Sequence, residues 1–308
     1  MAGGGSGGPS YFPSRPVRMR RLLEDTVEDT EQKSLDVDVN EYLNKLLAKL
    51  NERNPDRVRE YLDEIAGILG EEQEIDRFLF GGSVAKHTFV DGLSDVDALV
   101  VLNRANLDQT PVEVLKAFFD SLDEALTRDK VRSVTVGRLA VTVTYTDDTE
   151  IQLLPAIRRG KEISIADSTG NDWKAVFPKA FQRELTRGNE RLNNNLVPAI
   201  KMAKSILSDL PDEIRPTGYH VEALSVETTK GYRGPKTVKA LLLHILTAAS
   251  SRVLDPIADL TNQSRHVDVY LGKKNSDQRQ KLSLSLAAVA RRLNAAPDVD
   301  RWKEIIET

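Results

Sequence analysis

The segment that constrains this chain most is Ser94-Asp95-Val96-Asp97, which runs directly into Ala98-Leu-Val-Val-Leu102. The second half is an unbroken aliphatic run of β-type residues and reads as a buried strand. Alternate residues of a strand point to the same side, so Asp95 and Asp97 project together from its start. Two carboxylates so placed repel each other, and the pair is costly unless a cation neutralises it. Hard oxygen donors suit Mg²⁺, or Mn²⁺ in its place, which also takes water and phosphate oxygens. Just upstream, Arg77-Phe-Leu-Phe80 reads as a short strand, and Gly81-Gly82-Ser83 as a turn that opens a short helix. Glycine lets backbone approach a phosphate closely, and free N–H groups at a helix start bind anions. Gly82 and Ser83 are therefore candidate phosphate-binding residues, and Asp95 and Asp97 candidate metal ligands and catalytic residues. Each piece alone fits a surface turn or capping aspartates. The order strand, glycine-serine turn, helix, Asp-x-Asp, strand within one segment is far more specific.

The remaining pattern divides the chain. Residues 1–34 hold the glycine-rich tract Ala2 to Pro9, the cluster Arg15, Arg18, Arg20 and Arg21, and an acidic stretch, and read as a flexible solvated tail. Val39, Leu43, Leu46, Leu47 and Leu50 recur at helical spacing, and Asn54-Pro55 breaks that helix. Val58, Tyr61, Leu62, Ile65 and Leu69 mark a second helix closed by Gly70. Pro111 to Arg128 is amphipathic, residues 131–136 and 139–145 are β-rich, and Ile151 to Leu154 is a strand ended by Pro155. From about Asn171 the pattern is helical: residues 189–207, 220–229, 236–253 and 277–295. The expected fold is α+β, with a mixed sheet-and-helix lobe over residues 35–168, a helical lobe over 169–308, and the site in the cleft between them.

Composition removes several classes. The chain of 308 residues carries 43 basic and 47 acidic side chains, a formal net charge of −4, which gives no global pull toward nucleic acid or an anionic membrane. There is no cysteine, and the four histidines, His87, His220, His244 and His266, are scattered, which excludes thiol chemistry and disfavours a zinc site. No apolar run approaches the roughly 20 residues of a membrane helix, and no signal-peptide segment is evident, so a cytoplasmic location is expected.

Gly82-Ser83, Thr88 and Ser94-Asp95-Val96-Asp97 resemble the signature of the DNA polymerase β-like nucleotidyltransferase superfamily. Ile151-Gln-Leu-Leu-Pro-Ala-Ile157 resembles the strand that carries the third carboxylate in oligoadenylate synthases. Asn195-Leu-Val-Pro-Ala-Ile-Lys201-Met-Ala-Lys204 is similar to the helix that supplies phosphate-binding lysines, and Gly218-Tyr-His-Val-Glu-Ala-Leu-Ser225 to the helix after it. Asp255-Pro256 and Asp259-Leu-Thr-Asn262 resemble the nucleotide-site loop of that group. The likeness spans Leu35 to Arg292 and is best to the bacterial CD-NTases of antiphage (CBASS) signalling, related to cyclic GMP-AMP synthase and DncV. It implies a polymerase-β-like fold and joining of ATP, and other nucleoside triphosphates, into a cyclic oligonucleotide second messenger. It further implies a divalent metal at Asp95, Asp97 and position 152, phosphate contacts from Lys201 and Lys204, and a ribose or base contact from Ser225. The Gln152 strand and the Leu-Val-Pro-Ala-Ile-Lys helix point toward the branch that makes cyclic triadenylate with HORMA-type regulators; a nucleic-acid activator is not required.

One departure stands out. The third acid of the family lies three residues before this proline, where this chain has Gln152, which offers a carbonyl oxygen and no charge. Three arrangements remain open: two aspartates plus substrate phosphates suffice, Glu150 on the same strand face substitutes, or the site is impaired. Two other functions stay open beside cyclic-nucleotide synthesis: AMP transfer to a protein or tRNA, and a catalytically silent nucleotide-binding scaffold. Tyr219 is a core residue or a base-stacking one, and Glu222 reads as a helix-fixing residue.

Overall fold

The computed structural model describes residues 15–50, 55–72, 75–80, 86, 88, 96–102, 109–160, 162–167 and 169–307. It opens with two helices, α1 (Arg15–Leu50) and α2 (Pro55–Glu72). Helix α1 begins well before Leu35, so most of the expected flexible tail is helical. After Pro16, which a first turn tolerates, no glycine or proline interrupts the chain up to Leu50. Helix α2 likewise runs through Gly70 to Glu72.

Strands β1 (Ile75–Phe80), β2 (Val96–Leu102), β3 (Val131–Val136), β4 (Val141–Tyr145), β5 (Glu150–Arg159), β6 (Glu162–Ala166) and β7 (Trp173–Val176) form one mixed sheet. Its order is β1-β2-β5-β4-β3, and β6 and β7 continue from the far half of β5. Only β2 and β5 are described as parallel, in the register Val96↔Ile151 and Asp97↔Gln152. Strand β5 does not stop at Pro155. Its last pair with β4 is at Leu153 and its first with β6 at Ala156, so Pro155 falls in the gap between those two ladders, while the strand's other edge there lies opposite Val100 of β2.

Helix α3 (Pro111–Ala125) shows how local sequence sets an element. Thr110 accepts from the Glu113 N–H at 3.3 Å while the Glu113 carboxylate accepts from the Thr110 N–H at 2.7 Å, a reciprocal cap with Pro111 in the first turn. Its buried face, Val114, Leu115, Phe118 and Leu122, packs with α2 on the sheet face made by Val96, Ala98, Val100, Val143, Ile151 and Leu153. Full burial of such side chains stabilises by roughly 1.5–3 kcal/mol each. The opposite face of β2, β5 and β4 is left half-exposed at Asp97, Gln152 and Thr142.

The chain leaves the sheet after Val176 rather than at residue 168, because β6 and β7 pair as one more antiparallel hairpin. Helices α4 (Pro178–Arg191), α5 (Leu196–Leu207), α6 (Gly218–Thr228), α7 (Val238–Arg252), α8 (Asp277–Asn294) and α9 (Val299–Ile306) follow. The expected helix over 189–207 is split: Asn193 and Asn194 both have positive φ, 56° and 62°. Asparagine is among the few residues that take this left-handed conformation, and it reverses the chain between α4 and α5. These helices share a second core, which also contains Val39, Leu43 and Leu47 of α1. The long first helix therefore braces the helical lobe, while α2 braces the sheet.

Candidate active site

Asp97 stands near the start of β2 on the open face of the sheet, with Gln152 beside it on the parallel neighbour β5 and Thr142 next in line on β4. Side chains paired across a ladder share a face, so the Gln152 carbonyl and the Asp97 carboxylate project together. Glu150, one pleat away on the same face, accepts from Thr144 Oγ1 at 3.4 Å and pairs in register with that residue. The open face thus presents oxygen donors, which match a hard cation in type. Among the described residues no group of three acidic or histidine ligands assembles. Asp95, Gly82, Ser83 and the short helix expected after Ser83 lie outside the described residues, as does His87.

The helical lobe brings α5 up to this face. Lys201 and Lys204 lie three residues apart on one side of that helix. Lys201 is half-buried; burial, and then the neighbouring charge of Lys204, hold its pKa below that of an ordinary lysine. Lys204 is buried. Its Nζ donates to Glu222 Oε1 at 2.7 Å and to the Thr88 carbonyl at 3.0 Å. Burial, and with it the charge of Lys86, hold the Lys204 pKa below that of an ordinary lysine against the raising effect of Glu222 and Asp97. Glu222 also accepts from Lys86 Nζ and Thr88 Oγ1. Burial pushes the Glu222 carboxyl up, but the charges of Lys86 and Lys204 prevail and its pKa is lowered. A buried ionic cluster of Lys86, Thr88, Lys204 and Glu222 thus joins the two lobes, with the Asp97 charge felt at Lys204.

Other expected contacts resolve differently. Ser225 is fully buried in α6 and donates to the Val221 carbonyl at 2.7 Å. Tyr219 packs edge-on to Phe181 with centroids 5.0 Å apart and donates to Asp259 at 2.8 Å. Asp259 also accepts from Thr261 and Ser264, while Asn262 donates to the Ala175 carbonyl of β7 at 3.0 Å, so the Asp259–Asn262 loop is fastened to the sheet. Beside Lys86, a cavity of about 390 Å³ opens against α4 and the start of α5, lined by Gln182, Thr186, Asn189 and Pro198. Its lining includes neither Asp97, Gln152, Lys201 nor Lys204. The residue that sequence reasoning undervalued is Glu222. A lone glutamate inside a helix carries no signal of partners that arrive from distant segments.

A mixed sheet with an aspartate at the head of a buried central strand, joined to a helical lobe that carries Lys201 and Lys204, is the two-lobed fold of a polymerase-β-like nucleotidyltransferase. Residues 37–189 match the family model of the Second Messenger Oligonucleotide or Dinucleotide Synthetase (SMODS) domain. This stretch is the SMODS domain of the CD-NTase nucleotidyltransferases. Among solved structures it is similar to Escherichia coli MS115-1 CdnC with ATP, at 14% identity and a TM-score of 0.62 over 82% of this chain and 91% of that one. The complex of the same CdnC with HORMA-deltaN matches at 12% identity and a TM-score of 0.60, over 82% and 90%. Vibrio cholerae DncV cyclic AMP-GMP synthase matches at 13% identity and a TM-score of 0.57, over 94% and 88%. No curated protein sequence matches the chain. Among the described residues no helix is long and apolar enough to cross a membrane.

Proposed function

We propose that the chain joins nucleoside triphosphates into a cyclic oligonucleotide second messenger in the cytoplasm, with ATP as a substrate and cyclic triadenylate as the expected product. The observation that carries this reading is the register pair Asp97↔Gln152 on the open sheet face, with Lys201 and Lys204 on the helix that closes over it. Asp97, with Asp95 from the sequence, would hold Mg²⁺ or Mn²⁺, and Gln152 would add a neutral carbonyl oxygen. Such an ion, when bound, supplies charge neutralisation at the phosphates and a more acidic attacking hydroxyl. Lys201 offsets the charge of the triphosphate, and Lys204 supports it from the buried side. Gly82 and Ser83 are assigned to the β- and γ-phosphates by their motif. A ribose hydroxyl attacks the α-phosphate in line and pyrophosphate leaves; the protein contributes positioning and electrostatic stabilisation rather than a nucleophile. Ser225 stays a proposed ribose or base contact: its hydroxyl donates to the Val221 carbonyl and keeps acceptor lone pairs for a donor of the nucleotide.

The resemblance to CdnC in a HORMA complex supports a HORMA-type regulator; a role in antiphage defence is proposed from the sequence resemblance alone. Incubation with ATP, GTP, CTP, UTP and Mg²⁺, followed by mass spectrometry, tests the activity. A cyclic product that Asp97→Asn reduces at least about a hundredfold is expected. Only linear, protein-linked or RNA-linked products would sink the cyclic reading. Gln152 motivates a second reading, a nucleotide-binding scaffold, which binding without turnover in either metal, with a regulator supplied, would favour.

A further inference from the structure

Glu222 is 1% exposed, and its carboxylate is paired with two lysines, Lys86 and Lys204. One carboxylate oxygen meets Lys86 Nζ; the other meets Thr88 Oγ1 and, at 2.7 Å, Lys204 Nζ. These partners come from separate places: Lys204 from α5, and Lys86 and Thr88 from the stretch between β1 and β2. Lys86 is held further by two aromatic faces, with its Nζ 4.7 Å from the Tyr219 ring centroid and 5.2 Å from that of Phe181. Room for the cluster is built into the first turn of α6. A Cβ at Gly218 would stand 3.3 Å from Lys204 Nζ and 3.4 Å from Lys204 Cε. Buried ion pairs contribute little net stability compared with apolar packing, so such a network is weak as a device for holding lobes together. It is strong as a device for fixing a position, because each partner must be in place for the others to be satisfied. Lys86 and Thr88 stand in the sequence between Ser83 and Asp95, the residues assigned to phosphate and metal.

We propose that Glu222 is a positioning residue for nucleotidyl transfer: it holds Lys86 and Thr88 against Lys204 of α5, and so fixes Lys204 in relation to Asp97, whose charge it feels. The proposal rests on the nucleotidyl-transfer reading above. It separates Glu222 from a lobe-bracing role, which would alter melting but leave the turnover of folded protein unchanged.

The test compares wild type, Glu222→Gln, Thr88→Val and Asp97→Asn as full chains with ATP and Mg²⁺, below the melting temperature that circular dichroism gives for each. The readouts are kcat, KM and the affinity for a non-hydrolysable ATP analogue. Glu222→Gln is expected to lower kcat by about tenfold to a hundredfold, the scale of a displaced reacting group, while analogue affinity stays within about threefold. Thr88→Val removes one donor without changing shape, so it lowers kcat by a smaller factor in the same pattern and decides the matter if Glu222→Gln does not fold. A lowered melting temperature with kcat within about twofold of wild type in the folded variants overturns the proposal. A wild type that neither turns over nor binds the analogue overturns the functional reading instead, so the two failures are distinguishable.

Discussion

Replacement of Asp268 by Asn isolates the other buried charge cluster of the helical lobe. Arg279 on α8 is fully buried and donates to Asp268 Oδ2 at 2.7 Å, to the Val253 carbonyl at 2.8 Å and to the Gly272 carbonyl at 3.1 Å. Asp268, equally buried, also accepts from the Ile257 N–H at 3.2 Å. Asparagine keeps an oxygen for Ile257 but withdraws the negative charge from Arg279. A buried pair broken on one side costs about 3–5 kcal/mol, because the remaining charge stays desolvated. At about 2–4 °C per kcal/mol, the melting temperature should fall by roughly 6–20 °C. Urea unfolding followed by circular dichroism measures the loss directly. The double variant Asp268→Asn/Arg279→Met should recover part of it, since methionine needs no counter-charge, although the Val253 and Gly272 carbonyls lose their donor. A loss below about 1 kcal/mol in the single variant, or no recovery in the double, would refute the reasoning.

Two further outcomes follow from the same structure. His220 is buried, and burial lowers its pKa to about 4, against the attraction of Asp268. The unfolded chain therefore takes up a proton below about pH 6.5 that the folded chain refuses until about pH 4, so stability falls as pH drops through that window, by up to about 3 kcal/mol; urea midpoints at pH 7 and pH 5 measure it, and a slope unchanged in His220→Gln would contradict the assignment. Gln152→Asp should place a second carboxylate beside Asp97 and tighten Mg²⁺ or Mn²⁺ binding by about tenfold in calorimetry, an assignment that unchanged affinity would reject.

The strands and helices that surround the site were legible in the sequence because they follow from short-range rules. The Ala98–Leu102 run, the amphipathic stripe of Val114, Leu115, Phe118 and Leu122, and the break at Asn54-Pro55 are local patterns, and the structure reproduces β2, α3 and the α1–α2 boundary from them. What local pattern missed has equally physical causes. Strand β7 looked helical in its surroundings because its pairing with β6 is tertiary. The split between α4 and α5 rests on two asparagines whose positive φ no periodicity shows. The start of α1 was hidden because its first half has no apolar stripe, only an uninterrupted helix-tolerant sequence.

For the site, the sequence by itself determined which chemistry is available: adjacent carboxylates, no thiols, lysines spaced on one helix face, and glutamine where an acid is expected. Tertiary structure decided which of these meet. The parallel register of β2 and β5 sets Gln152 against Asp97, although they are distant in the chain. The docking of α5 and α6 commits Lys204 to Glu222 and Thr88. Residue types are written in the chain; desolvation and partnership depend on which segments share a buried volume, and that follows only once the cores have packed.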